Sequence, residues 1–575
     1  MKNWKIKEKT GNFATELLEK YNPIILQLLK NRGLETPEEI EKYFNFDYEK
    51  DLSDPFLISG MEKAVERIKT ARDNPPVGGE KIAIFGDYDA DGVSASALLY
   101  ETLTNLGFEN IICYIPDRQL EGYGMNEKSI NYLFENNVKL IITVDCGITN
   151  IKEIEEANKK GINVIITDHH HAPEILPEAY AIINPNIPNS GFVFREMAGV
   201  GVAFKLAQAL YKKISPEKED QLKWSLDLLA LGTIADCVSL LGENRTLVKY
   251  GLIVLSKTKR AGFLEIFKVG RIDISEDKIP DTQKVAYQVA PRINAAGRMD
   301  HANVAYNLLI EKNPVLAREM ALEVESNNQK RQKITAEIFR EIQVLANNSF
   351  KDKKFIFAEN PNWPVGILGL VAGKITEEFQ KPSVILQRQE SEFVGSLRSI
   401  SEINIIEMLG KCSEFLFRFG GHSQAAGVTI KPENIEKFYE KMSQLIEEEL
   451  AGKEIMPAIE VDCEIKLDDI NWEFVSELKK MEPFGIGNEE PVFLAKNVVI
   501  SDLKIVGNGS KHWKLSLMSD SGSPKIFDAI GFSLVEKFPD LKKDDKIEMV
   551  FNIQEDEWSG NKKIQLNLID LKIIE

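Results

Sequence analysis

The spacing of hydrophobic and polar positions changes several times along the chain. Up to about residue 75 it is helical and irregular, ending in the amphipathic run Met61-Glu62-Lys63-Ala64-Val65-Glu66-Arg67-Ile68. Asn74-Pro75-Pro76-Val77-Gly78-Gly79 has the composition of a linker. Short apolar runs then alternate with polar helical segments. Lys81-Ile82-Ala83-Ile84-Phe85, Ile111-Ile112-Cys113-Tyr114-Ile115, Leu140-Ile141-Ile142-Thr143-Val144 and Asn163-Val164-Ile165-Ile166-Thr167 read as strands, and Ser94 to Leu106 as the first intervening helix. This alternation predicts an α/β fold with a parallel sheet covered by helices.

From about Asn313 to Asn347 the pattern predicts one long helix, with Ile334, Ile338, Ile342 and Leu345 on one face. Its basic turn, Lys330-Arg331-Gln332-Lys333, reads first as a solvated face and second as a contact for a phosphate backbone. A second α/β segment, about Lys354 to Glu449, holds Phe355-Ile356-Phe357-Ala358, Ser383-Val384-Ile385-Leu386 and the glycine-rich stretch Phe419 to Gly427. Beyond Gly452-Lys453 the texture is β-rich. Lys514-Leu515-Ser516-Leu517 alternates, and a hairpin is expected from Glu548–Gln554 and Lys563–Leu571 around Ser559-Gly560-Asn561. A five-stranded OB-type barrel fits that length. The expected division is 1–75, an N-terminal helical region; 76–312, a first α/β domain; 313–347, a connecting helix; 348–453, a second α/β domain; and 454–575, a β-barrel.

Composition excludes more than it identifies. The 575 residues are 43% hydrophobic and 28% charged, as in ordinary globular proteins. No apolar stretch is long enough for a membrane span, and the N-terminus lacks the apolar core of a secretory signal. Cys113, Cys146, Cys237, Cys412 and Cys463 form no CxxC pair, so a reducing cytoplasm is expected. The net charge of −18 argues against a general nucleic-acid coat but is compatible with an enzyme carrying a local basic channel.

The chemistry is concentrated at predicted strand ends, where open parallel sheets place their ligands. Asp87, Asp89 and Asp91 follow the first strand in Gly86-Asp87-Tyr88-Asp89-Ala90-Asp91-Gly92. Asp145 ends the third strand, and Asp168-His169-His170-His171 ends the fourth. With Asp236 these residues make one candidate site. Two carboxylates about 4 Å apart repel by roughly 4 kcal/mol at an effective dielectric of 20. A cluster of them therefore either holds protons or holds divalent cations. Carboxylates with one or two imidazoles suit Mn²⁺ and Mg²⁺, and there are enough of them for two ions sharing a carboxylate, an arrangement suited to phosphoryl hydrolysis. Taken singly, the motifs have plainer readings. The aspartate run resembles a calcium loop, although Leu98 stands where such a loop needs glutamate. Three histidines in a row can be a surface tract, and Asp236 can be a helix cap. Gly199-Val200-Gly201 is too incomplete for dinucleotide binding, and Gly369 to Ile375 for a P-loop.

The aspartate run, Val144-Asp145-Cys146-Gly147, Asp168-His169-His170 and Ala235-Asp236 resemble, in order, the four motifs of the DHH phosphoesterase superfamily. Gly420-Gly421-His422-Ser423-Gln424-Ala425-Ala426-Gly427 resembles the glycine-rich motif of the DHH-associated domain. Pro291-Arg292-Ile293-Asn294-Ala295-Ala296-Gly297-Arg298, Thr36 to Ile40, Asp54 to Leu57 and the β-rich tail narrow the resemblance to the RecJ family, over nearly the whole chain. The resemblance implies a 5′→3′ exonuclease on single-stranded DNA that releases 5′-mononucleotides with two Mn²⁺ or Mg²⁺ ions, in recombination and repair. By motif position, Asp89, Asp91, Asp145, His169 and Asp236 would be metal ligands, with Asp145 bridging. Asp87 would be an auxiliary ligand or orient the others, and His170 would meet the scissile phosphate. His171 has no assigned role. Arg118 and Arg292 are substrate candidates, and Arg298, Ser396 and Arg398 are expected to hold the 5′ end. Gly420, Gly421 and His422 are expected to offer backbone N–H groups to a phosphate, and Trp513 in the barrel, or its neighbour His512, to stack on bases. The family further implies help from a single-strand-binding protein and a helicase; a monomer with no membrane role is expected. Competing readings are a DHH phosphatase for short or small phosphate esters and a non-catalytic DNA-binding scaffold.

Overall fold

The computed structural model describes residues 3–9, 13–73, 79–453, 458–507, 509–520, 525–556 and 562–574. The linker at 74–78 and the expected hairpin turn at 559–561 lie outside the described residues. The chain forms two compact units. One comprises residues 52–238 and 242–455; the other comprises 1–51, 239–241 and 456–575.

The larger unit carries two sheets. In the first, five parallel strands lie in the order Ile111–Tyr114, Lys81–Gly86, Val138–Val144, Asn163–Thr167, Ala181–Ile183. The last of these is absent from the sequence reading because three residues are too few to show a period. The central strands are buried on both faces, so they read as continuous apolar runs rather than alternating ones. Helix Ala90–Asn105 leaves the end of Lys81–Gly86 and is buried along most of its length. Its entry requires glycine. A Cβ on Gly86 would lie 2.0 Å from Oγ of Ser96, and one on Gly92 would lie 2.7 Å from the backbone of Asp87. Any side chain at either position would push the helix off the strand end that carries the acidic residues.

The second sheet has the order Leu416–Gly421, Ala425–Ile430, Phe393–Arg398, Ser383–Arg388, Ile356–Asn360. Only its last pair is parallel. Helix Val365–Phe379 joins the parallel pair and packs on this sheet through Ile367, Leu368, Val371, Ala372 and Ile375. Helix Pro314–Asn348 precedes the sheet, with Asn313 capping its start by accepting from the amide of Val315. Ile338 and Ile342 are buried as expected, but Leu345 is 40% exposed. The buried stripe passes through Ala346 instead, because the inward face is offset by one residue from the predicted one.

In the smaller unit, strands Phe493–Val506, His512–Ser519, Ile526–Gly531, Lys563–Ile574 and Lys546–Asp556 pair in that order, and the first and last also pair, closing a five-stranded barrel. Helices from the first 51 residues are not a separate body. Ile25, Leu26 and Leu29 share one core with Phe474, Phe493 and Phe551 of the barrel region. The strand Asn3–Ile6 pairs in parallel with Ala458–Val461. Among the described residues no helix is long and apolar enough to cross a membrane.

Candidate active site

At the carboxyl ends of the first parallel sheet, ligand atoms from distant parts of the chain come within 4.8 Å of one another in three overlapping groups. These are Asp87, Asp89 and Asp145; Asp91, His169 and Asp236; and Asp145, His169 and His170. Every metal-ligand candidate from the sequence falls in this cluster, with Asp145 and His169 shared between groups. Asp89 caps helix Ala90–Asn105, its carboxylate accepting from the amides of Asp91 and Gly92 at 3.0 Å each. Asp145 holds a φ of 62°, a left-handed conformation costly for a residue with a side chain.

Several of the converging atoms have nothing to bond. Oδ1 of Asp87, Oδ1 of Asp145, Nε2 of His169 and Oδ2 of Asp236 are buried without a hydrogen-bond partner. Nε2 of His169 lies 3.1 Å from Asp145 Oδ1 and 3.6 Å from Asp236 Oδ2, close but outside hydrogen-bonding geometry. Buried polar atoms are normally satisfied, so four orphans in one cluster fit the ligands of a cation. The donor set fits two divalent ions.

Electrostatics agree. Burial, and then the charges of neighbouring aspartates, raises the carboxyls of Asp87 and Asp145 well above their ordinary range. The same causes push Asp91 up to about 7 and Asp236 up to about 9. His169 is held down to about 4 by burial and then by the charge of His170, leaving a neutral imidazole suited to metal ligation. His170 behaves oppositely. Burial lowers it, but the hydrogen bond and charge of Asp168 outweigh burial and raise it to about 9.

Asp168 is not among the clustered ligand atoms. It is fully buried, and its carboxylate accepts from Nδ1 of His170 at 2.7 Å and from the amides of Ile148, His169 and His170. It therefore holds the loop that presents the two histidines. His171 is not among these ligand atoms; its ring lies 6.2 Å from that of His422, in the turn between two strands of the second sheet.

Two supports escaped the sequence reading. The amides of Gly199 and Val200 donate to the two oxygens of Asp91 at 2.6 and 2.9 Å, at the start of helix Gly199–Ile214. A Cβ on Gly199 would lie 2.5 Å from Oδ1 of Asp145. Gly199-Val200-Gly201, too incomplete for dinucleotide binding, is thus where a helix terminus meets the acidic cluster. Tyr123, between Gly122 and Gly124, donates its hydroxyl to the Asp145 carbonyl at 3.3 Å and lies equally far from Nδ1 of His170. Nothing in its sequence surroundings signals this.

The substrate candidates divide. Arg118 stacks on the ring of Tyr88, 4.8 Å from its centroid. Arg298 is lowered to about 10 by burial and then by the charges of Arg118, Arg331 and Arg398, against the pull of Asp89. Arg398 donates to Oγ of Ser396 at 2.8 Å, and Gly369 leaves room for both, since a Cβ there would lie 2.9 Å from the Arg398 guanidinium. The arginines of the expected 5′-end pocket are therefore together. Arg292 is not free to join them: its guanidinium is paired with Glu325 at 2.6 Å, side chains only 12% and 14% exposed. The amide of His422 donates to the Ala425 carbonyl at 2.8 Å, so it serves the hairpin rather than a ligand. Gly420 and Gly421 are paired across to Gly427 and Ala426. Trp513 is barrel core. It is 6% exposed, and its Nε1 donates to the carbonyl of Phe538 at 3.1 Å, leaving no ring face for a base.

Residues 81–233 match the DHH family N-terminal domain, 352–448 the DHHA1 domain, and 461–570 the RecJ OB domain. The chain is 35% identical over 576 residues to the single-stranded-DNA-specific exonuclease RecJ of Bacillus subtilis, covering 100% of this chain and 71% of that protein. It is 31% identical over 567 residues to that of Haemophilus influenzae, covering 96% of each. Among solved structures, RecJ from Thermus thermophilus in complex with Mn²⁺ superposes with a TM-score of 0.82 at 25% identity, covering 100% of this chain and 80% of the other. A manganese-bound exonuclease RecJ gives 0.58 at 30% identity, covering 70% and 96%.

Proposed function

This chain belongs to the RecJ family of single-stranded-DNA-specific exonucleases, and we propose that it hydrolyses single-stranded DNA from the 5′ end, releasing 5′-mononucleotides in a metal-dependent reaction. One observation carries the reading: four orphaned, buried ligand atoms from Asp87, Asp145, His169 and Asp236 converge at the end of a parallel sheet.

Asp89, Asp91, Asp145, His169 and Asp236 would hold two Mn²⁺ or Mg²⁺ ions, with Asp145 shared and Asp87 beside it. Such ions lower the pKa of bound water and offset charge on the scissile phosphate. The protein's own contribution is placement. Gly199 and Val200 fix both oxygens of Asp91. Asp168 keeps His170 protonated near neutral pH, giving a cationic donor beside the cluster for a non-bridging phosphate oxygen. Arg118, Arg298, Arg398 and Ser396 would bind the 5′-terminal phosphate, so that chain ends are chosen over internal bonds. With the terminus fixed there and the acidic cluster beside the first phosphodiester, one nucleotide would leave per cycle.

A monomer is proposed, in a reducing cytoplasm because the five cysteines form no CxxC pair; a role in recombination and repair, and supply of single strands by a single-strand-binding protein and a helicase, are proposed on the family resemblance alone. The decisive test is digestion of 5′- and 3′-labelled 40-mers, single- and double-stranded, and of a dinucleotide, with and without Mn²⁺. Early release of the 5′ label as mononucleotide from single strands, only with metal, is expected. Cleavage confined to the dinucleotide would replace this reading with a small-substrate phosphodiesterase, and no cleavage with a scaffold.

A further inference from the structure

The buried stripe of helix Pro314–Asn348 is apolar at both ends and polar in the middle. Ala317, Ala321 and Val324 are buried near its start, and Ile338, Ile342 and Ala346 near its end. Between them, on the same face, come Asn327, Asn328, Arg331 and Thr335. Asn327, Asn328 and Thr335 are 5%, 1% and 3% exposed. A packed helix is weakened by polar groups at such positions unless they are bonded. Three atoms here are not: Nδ2 of Asn327, Nε of Arg331 and Oγ1 of Thr335 are buried without a hydrogen-bond partner among the described residues. Arg331 has one bond, to Oδ1 of Asn328 at 2.8 Å.

The charge is equally unbalanced. The Arg331 guanidinium is disfavoured by burial and then by the charge of Arg292, whose own partner is Glu325. Arg298 feels the charge of Arg331 as well as those of Arg118 and Arg398. Arg331 makes no ion pair among the described residues. A half-buried cation beside other cations, ringed by unsatisfied donors, is an arrangement that an anion stabilises. One phosphate at the terminal pocket does not answer it, because Arg398 of that pocket feels the charge of Arg118, whereas Arg331 feels that of Arg292.

We propose that Arg331, with Asn327, Asn328 and Thr335 around it, is a further phosphate subsite that binds an internal phosphodiester of the single strand. The proposal rests on the exonuclease reading and adds to it a residue outside the terminal pocket and the metal cluster. The connecting helix then has a second role, measuring whether a strand continues past the bond to be cut. A mononucleotide ester leaves the subsite empty; an oligonucleotide fills it.

The test compares Arg331→Gln with the unaltered chain on three substrates with Mn²⁺: p-nitrophenyl thymidine 5′-phosphate, 5′-phosphorylated dinucleotide and 5′-phosphorylated 20-mer. Loss of one charge-assisted contact predicts a KM for the 20-mer raised about tenfold, with the nitrophenyl ester cleaved within about twofold of normal. The dependence of 20-mer binding on log salt should flatten by about 0.7. An unchanged 20-mer KM and salt slope would overturn the subsite, and so would an equal loss on all three substrates. Should Arg331→Gln not fold, Arg331→Lys keeps the charge but not the fork, and the 20-mer KM alone should still rise severalfold. Failure of the unaltered chain to digest the 20-mer would sink the exonuclease reading itself.

Discussion

The amide of Gly199 donates to Oδ2 of Asp91 at 2.6 Å, joining residues more than a hundred positions apart in the chain. The same glycine leaves the space that Oδ1 of Asp145 occupies. One position without a side chain thus serves two members of the acidic cluster.

Gly199→Ala is therefore expected to disturb the site without unfolding the protein. Its methyl group would displace the Asp145 carboxylate and tilt the helix terminus from Asp91. Affinity for Mn²⁺ should fall about 10- to 100-fold, as for lost support of a metal ligand. Calorimetric titration with Mn²⁺ measures this, with circular dichroism reporting the fold. Wild-type Mn²⁺ affinity would disprove the role.

Asp145→Asn should abolish nuclease activity while leaving stability without metal undiminished. Asparagine tolerates the left-handed φ of 62° and removes one of several crowded buried charges. The expected loss in kcat is at least about 10³-fold, on the scale of losing a preorganised electrostatic group. Near-normal Mn²⁺-dependent digestion by this variant would reject the site.

Stability without divalent cations should fall as pH rises. Asp91 at about 7 and Asp236 at about 9 are both raised above the ordinary carboxyl value of 3.8. The folded state therefore holds protons that the unfolded chain releases. The stabilisation is complete below about pH 4 and is lost as pH climbs through about 7 to 9. Melting curves in chelator at pH 6 and pH 9 should show a lower Tm at pH 9, and Mn²⁺ should remove the difference. A Tm that rises with pH in chelator would contradict the sign.

Arg398 and Arg292 should fail in different ways. Arg398→Ala is expected to raise KM about tenfold for 5′-phosphorylated strands and much less for 5′-hydroxyl strands, since a charge-assisted phosphate contact is lost. Arg292→Ala should leave that preference intact and instead lower stability by about 1–3 kcal/mol, because it strands Glu325 at a mostly buried pair. Kinetics on the two kinds of end, with denaturant melts, separates the outcomes.

Trp513→Phe should bind single-stranded DNA as the unaltered chain does, because the indole packs inside the barrel with Leu515 and Leu534. Trp513→Ala should cost about 3–5 kcal/mol through the cavity it opens. A large loss of DNA affinity in a fully folded Trp513→Phe protein would restore the stacking role.

The sequence by itself determined the parallel sheet and the identity of the acidic and histidine residues at its ends. Strands buried on both faces appear as unbroken apolar runs, and ligands at strand ends follow them directly in the chain. Asp89, Asp145 and His169 were legible for that reason. Tertiary structure alone decided which polar side chains remain free once packing is complete. Arg292 and Arg298 lie six positions apart in one segment, yet one is neutralised by Glu325 and the other faces the arginine cluster. Trp513 and the amide of His422 look available in the chain and are consumed by the barrel core and a hairpin. Gly199 and Tyr123 gain their roles from neighbours distant in sequence, and no local periodicity encodes such contacts. Local pattern specifies an element and its faces; whether a donor, acceptor or charge is already satisfied depends on every element packed around it.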